Sequence, residues 1–224
     1  MEKKPETPVA ENSHIDIDDL DIVRLDHHSF NEAKSILYQA YLGEPAFKYI
    51  FGGGRPGYEQ RVRATMQALM QLHVSKGQDV IGIAVDKVLI GVAYISDPNV
   101  RLKLAEQINW RLRMILTAGL AATHRYIDLH EQISELQPTD QHHELPLIAV
   151  HPNYQGQRIG TTLLEAVEQI CAEHHKSTGI GLDTGNLRYV DFFRSLGYEK
   201  VGEAQIGPIK ETVLFKPTRK LVRR

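Results

Sequence analysis

The chain predicts a mixed α/β fold with a mostly antiparallel sheet, and three observations carry that expectation. Stretches with helical apolar spacing alternate with short apolar, β-branched runs. Two pairs of such runs are separated by turn-sized gaps, the signature of antiparallel hairpins. Between those hairpins lies one strand–helix–strand unit, residues 142–183, whose two strands a crossover helix would make parallel.

The elements follow in order. Residues 21–25 read as a short strand. Ser29-Phe-Asn-Glu32 has capping-box spacing, and Ala33, Ile36, Leu37, Ala40 and Tyr41 then recur at helical intervals up to Gly43. Residues 44–57 hold Pro45, three consecutive glycines and Pro56, and read as a loop next to a helix end, a position suited to lining a site. A second helix is expected over 58–76, with Val62, Met66, Leu69 and His73 on one face. Residues 79–85 and 88–95 flank Asp86-Lys87 as a hairpin. A long helical insertion is expected over 99–136, with Ile108, Leu112 and Leu116 among its apolar positions, before the strand at 142–150. Beyond the central unit, residues 187–196 read as a helix and 198–204 and 210–215 as the final strand pair.

At 224 residues, with 42% hydrophobic and 24% charged side chains, the chain has the composition of an ordinary soluble protein and enough length for a well-buried core. A net charge of -2 argues against a nucleic-acid partner held by bulk electrostatics. Residues 1–19 read as a disordered polar lead, 20–216 as one domain and 217–224 as a basic tail. The expected compartment is the cytoplasm: no secretory leader and no apolar run of membrane-spanning length is visible, and Cys171 is the single cysteine. That cysteine falls on the apolar side of a helical pattern, as a core thiol would. The histidine pairs 27–28, 142–143 and 174–175 are adjacent in sequence, so their side chains diverge and no metal site is expected.

The chemistry concentrates in residues 145–171, LPLIAVHPNYQGQRIGTTLLEAVEQIC. An apolar strand feeds a helix through a loop of glycine and polar residues. Free backbone N–H groups and the positive end of the helix dipole then meet at one point, which suits a phosphate. This stretch resembles the acetyl-CoA-binding motif Arg/Gln-x-x-Gly-x-Gly/Ala of the GCN5-related N-acetyltransferase (GNAT) family. Gln155 and Gly160 stand at the motif's ends, and Arg158 stands where its middle glycine is expected. A second segment, Leu182-Asp-Thr-Gly-Asn186 followed by Phe193-Arg-Ser-Leu-Gly-Tyr198, resembles the family's Asn…Tyr-x-x-Leu-Gly-Phe, with Phe193 in place of tyrosine.

The resemblance implies the acyl-CoA N-acyltransferase fold, whose sheet splays at a parallel strand pair, and an enzyme that uses acetyl-CoA as co-substrate. It places pantetheine along the strand at Leu145 to Val150 as a missing strand would lie, and the N–H donor to the oxyanion in the backbone of Ile148, Ala149 and Val150. It places pyrophosphate on the backbone of Gln155, Gly156, Gln157, Arg158, Ile159, Gly160 and Thr161. Asn186 and Phe193 would complete the cofactor-binding set. Arg158 is read either as a solvent-facing side chain or as a guanidinium on a CoA phosphate. The acceptor is an amine, and direct transfer needs a proton acceptor, for which Glu144 is the first candidate with His142 and His143 as neighbours. Tyr189, on the same helix face as Phe193, is the candidate proton donor to the leaving thiolate. The expected function is direct N-acetylation of a small-molecule amine by a monomer or homodimer. Acetylation of a protein or peptide amine and a non-catalytic CoA-binding module are the alternatives.

Overall fold

A computed structural model of the chain describes residues 19–26, 28–98, 100 and 103–218. The polar lead through residue 18, the start of the expected insertion at 99, 101 and 102, and the tail from 219 lie outside the described residues. Seven strands form one sheet in the order β1-β2-β3-β4-β5-β7-β6. They are β1 (Asp21–Arg24), β2 (Asp79–Val85), β3 (Val88–Ser96), β4 (His143–Val150), β5 (Gly179–Thr184), β6 (Glu199–Ile206) and β7 (Ile209–Pro217). Every neighbouring pair is antiparallel except β4 with β5. That parallel pair is the one joined by a crossover helix.

Helices cover both faces. One face carries α1 (Phe30–Tyr41), α2 (Pro45–Phe51), α3 (Tyr58–Ser75), α4 (Leu104–Ala118) and α5 (Leu120–Leu136). The core beneath them joins Leu37, Phe47, Phe51, Met66, Tyr94, Tyr126, Leu147 and Val213. The other face carries α6 (Ile159–Glu173) and α7 (Leu187–Ser195), over a core that includes Ile83, Ile95, Leu145, Leu163, Val167, Cys171, Phe193 and Tyr198.

Three expectations are revised. The segment read as a loop after α1 contains the helix α2: its proline sits in the first turn, where no N–H is needed, and Gly52 closes it at φ 71°. The residues taken as loop punctuation are that helix's own caps. Ser29 makes no capping bond; Asp26 Oδ1 instead accepts from the N–H groups of His28 (2.9 Å) and Ser29 (3.3 Å). The long helical region is two helices broken at Gly119, whose φ of 90° no helix continues. Of the apolar residues of α4, Met114 is fully buried while Ile108, Leu112 and Leu116 face outward.

His73 is a core histidine, its Nε2 bonded to Asp79 O at 3.1 Å and its ring edge-on to Tyr94. The β2–β3 hairpin turns on Asp86 and Lys87 with φ of 50° and 65°, both left-handed, as a twist-matched two-residue turn requires. A lysine in that conformation is strained where glycine is not. Lys87→Gly is therefore expected to stabilise the protein by about 1 kcal/mol, an increase of roughly 2–4 °C in Tm. A melt no higher than that of the parent chain would refute the turn assignment.

Candidate active site

The site begins where β4 leaves β5. The two strands pair only at His143↔Ile180 and Glu144↔Gly181, whereas β4 stays paired with β3 up to Gly91↔Val150. The cause is in the register. Between Ser96↔Glu144 and Tyr94↔Leu147, β4 has one more residue than β3, so Leu145 and Pro146 together oppose Ile95. A bulge increases local twist, and Pro146 has no N–H to give a neighbouring strand. Leu145 consequently packs into the core under α6, and Leu147 into the opposite one.

The gap between the strands opens into a cleft of about 430 Å³. Residues 145–150 line it along one side. Here the Ile148 N–H donates to Tyr41 Oη at 3.2 Å, a side chain standing where a neighbouring strand would otherwise be.

One end of the cleft is the loop into α6. Gln155, Gly156, Arg158, Gly160 and Thr161 line it. Gln155 Nε2 donates to Val150 O at 3.2 Å and fixes the loop to the end of β4. Gly156 has φ 81°, and Arg158, the residue preceding α6, has φ 62°. The position where the motif expects glycine thus keeps the glycine conformation, held by an arginine at a cost of about 1 kcal/mol or more. The first-turn N–H groups of α6 have no acceptor within the helix and are available to a ligand. Gly160 lets α7 approach: a Cβ there would lie 3.3 Å from Phe192 Cζ. Gln157 and Ile159 do not line the cleft, and Ile159 is buried in the core below.

From α7, Arg188, Tyr189, Phe192 and Phe193 face the cleft. Phe193 also packs edge-on against Tyr198. Asn186 is the N-cap of α7: its Oδ1 accepts from the Arg188 N–H at 3.1 Å, and it does not line the cleft.

The opposite end is walled by Phe47 and Ile50 of α2 and by Tyr126, Leu129, His130 and Ile133 of α5. Three carboxylates line the cleft with them: Glu44 before α2, Asp183 on β5 and Glu211 on β7. The register Asp183↔Val213 puts Asp183 on the same sheet face as Val213, and alternation adds Glu211 to that face. Burial pushes Glu44 up to about 7, Lys48 pulling against it. Burial, then the charges of Glu144 and Glu44, push Asp183 to about 7. Burial, then Asp183 and Glu44, push Glu211 to about 9. His130 is lowered by burial and adds no positive charge at neutral pH.

Glu144 is not among the residues lining the cleft. Its side chain is half exposed, 3.6 Å from His142 Nε2, and that histidine holds its carboxyl below the usual range. His143 is buried, its Nδ1 2.7 Å from Ser177 Oγ, and burial first, then His174, lowers it to about 4. Sequence reading missed Asp183 and Glu211 as site residues, although both are charged residues inside apolar strand runs. It also missed Glu44, although the segment holding it was marked as a possible site wall. Among the described residues no helix is long and apolar enough to cross a membrane.

The model of the acetyltransferase (GNAT) family matches residues 55–198. No curated protein matches the chain. Solved structures share its fold at low identity. A histone acetyltransferase HPA2-related acetyltransferase from Corynebacterium glutamicum is 16% identical with a TM-score of 0.68, over 92% of this chain and 99% of that one. Arylalkylamine N-acetyltransferase 2 from Aedes aegypti is 16% identical with a TM-score of 0.58, over 89% and 99%. An agmatine N-acetyltransferase is 11% identical with a TM-score of 0.59, over the same shares. The family model spans more than half of the sequence, including both motifs and the parted strands between them; the chain belongs to the GNAT family and is an N-acetyltransferase.

Proposed function

We propose that this enzyme transfers the acetyl group of acetyl-CoA directly to the amine of a small molecule. The observation that carries the reading is the sorting of charge along one cleft. Arg158 immediately precedes α6, Arg188 of α7 lines the same cleft, Glu44, Asp183 and Glu211 line it with the walls from α2 and α5, and the parted strands run alongside. A polyanionic cofactor and a cationic amine fit those groups in that arrangement, and the volume is of small-ligand size. The wall contributed by α2 and α5 favours a small acceptor over a polypeptide.

Acetyl-CoA supplies an activated acyl carbon and a leaving thiolate. The first-turn N–H groups of α6 and the side chain of Arg158 would hold its phosphates. The open edge of β4 would pair with the amide groups of its arm, as in strand addition. The Ile148 N–H, which donates to Tyr41 Oη, would donate to the oxyanion as the carbonyl carbon becomes tetrahedral. Glu44, poised at about 7, accepts the proton the amine must lose before it attacks. As the C–N bond forms and the C–S bond breaks, the Tyr189 hydroxyl gives a proton to the thiolate. Cys171 takes no part in a covalent relay: it is fully buried and does not line the cleft, and burial pushes its thiol up to about 12.

Glu44 must be ionised to act, so kcat/KM should rise with pH up to about 7 and then level off with respect to this group. Glu44→Gln should lower kcat/KM by about 100-fold and remove that inflection, measured by thiol release over a pH series. A larger loss in Glu144→Gln than in Glu44→Gln would transfer the base to Glu144. Tyr189→Phe should cost roughly 10-fold in kcat, below the usual range for general acids because a thiolate leaves readily. Arg158→Gly should melt slightly higher, since glycine accepts φ 62° without strain, and yet show a several-fold higher KM for acetyl-CoA. An unchanged KM would remove Arg158 from the phosphate site.

A further inference from the structure

We infer that the acceptor carries a second positive charge, separate from the amine that is acetylated, and that Glu211 together with Asp183 holds it. The inference deepens the acetyl-transfer reading and rests on it. Glu211 is 3% exposed and faces the cleft, and its Oε1 has no hydrogen-bond partner. A buried carboxyl oxygen left without a partner is costly, and a ligand that completes it removes that cost.

The fold makes room for that oxygen. A Cβ at Gly185 would lie 2.5 Å from Glu211 Oε1, so any side chain at 185 would displace the carboxylate. Arg188 of α7 lines the same cleft, but the charges acting on Glu211 are those of Asp183 and Glu44. The ion pairs found among the described residues involve neither Glu211, Asp183 nor Glu44. Lys210, next to Glu211 on β7, reaches out to Glu203 at 3.7 Å. The groups facing this part of the cleft from α1 and α5 are Tyr41, Tyr126 and His130, none of them positive at neutral pH. Among the described residues no three His, Cys, Asp or Glu side chains gather closely enough to hold a metal ion.

An organic ammonium or guanidinium fits instead. With Glu44 serving the reacting amine, Glu211 and Asp183 are left for a charge at the far end of the same molecule. The substrate class is an aliphatic diamine, or an amine bearing a guanidinium. Burial with the charges of Asp183 and Glu44 keeps Glu211 protonated at neutral pH until a cation arrives. Binding of a dication therefore releases a proton that binding of a monoamine does not.

The test compares diaminobutane with butylamine, molecules that differ only in the terminal ammonium. Thiol release from acetyl-CoA should give the diamine a kcat/KM at least about 10-fold higher. In Glu211→Gln that ratio should fall to about 3 or less, while Glu211→Asp should retain part of it. Equal use of the two amines by the unaltered enzyme overturns the inference and leaves the acetyl-transfer reading intact. So does an unchanged ratio in a Glu211→Gln protein that melts like its parent. If no amine releases thiol, the acetyl-transfer reading fails, and thermal shift with the amines alone decides this one. Stabilisation by diaminobutane and not by butylamine supports a dication site; equal or no stabilisation by both overturns it. Should Glu211→Gln fail to fold, calorimetry of the unaltered protein in two buffers of different ionisation enthalpy reads the released proton, and its absence also counts against the site.

Discussion

The pairing of β4 with β5 stops after two residue pairs, and the rest of the site depends on that interruption. Parallel strands joined by a crossover helix ordinarily continue side by side, each satisfying the other's backbone. Here the extra residue at Leu145-Pro146 redirects β4, and the cleft runs along the strand beyond that point. The cost is tolerated because β4 stays paired with β3 beyond the bulge, from Tyr94↔Leu147 to Gly91↔Val150, and because a tyrosine hydroxyl takes one of the exposed N–H groups. The cleft, the orientation of α6 at one end and the reach of α5 over the other all follow from two strands that diverge without leaving the sheet.

Electrostatics then divide the cleft. The arginine end is assembled from a helix terminus and exposed side chains whose charges stay hydrated. The acidic end is made of carboxylates taken out of water, whose shifts upward measure how strongly burial opposes their charge. Those shifts also have a consequence for folding. A carboxyl whose folded pKa is raised adds stability that is fully present below its unfolded value and lost as pH rises through the folded one. For Glu44 and Asp183 the loss runs from the ordinary carboxylate range to about 7, and for Glu211 it continues to about 9. A group arranged against its own stability is best understood through what it meets in the bound state.

Much of the scaffold was legible because its signals are local. The Asp86-Lys87 turn, the run into α6 and the final strand pair each depend on residues close in sequence, and each formed where the periodicity placed it. The helix α2 was hidden because its caps are also loop residues, and only packing of Phe47 and Phe51 against the core separates the two cases. The acidic end was not legible for a different reason. Glu44, Asp183 and Glu211 come from three distant segments, and they share a cavity only once the β5–β7 register and the position of α2 are known. Arg158 lies between these extremes: the missing glycine was visible in the sequence, but its left-handed backbone was not.

Cys171 adds a consequence of a more practical kind. The proposed reaction liberates one thiol per turnover, and the protein's only thiol is sealed in the core beneath α6 with its ionisation suppressed. A thiolate is what attacks a disulfide, so the native enzyme offers nothing to form a mixed disulfide with its own product. Accumulating CoA, even under oxidising conditions, leaves the catalyst unmodified. A thiol-reactive dye added to the working enzyme reads product from a background close to zero, and a rise in that background reports unfolding.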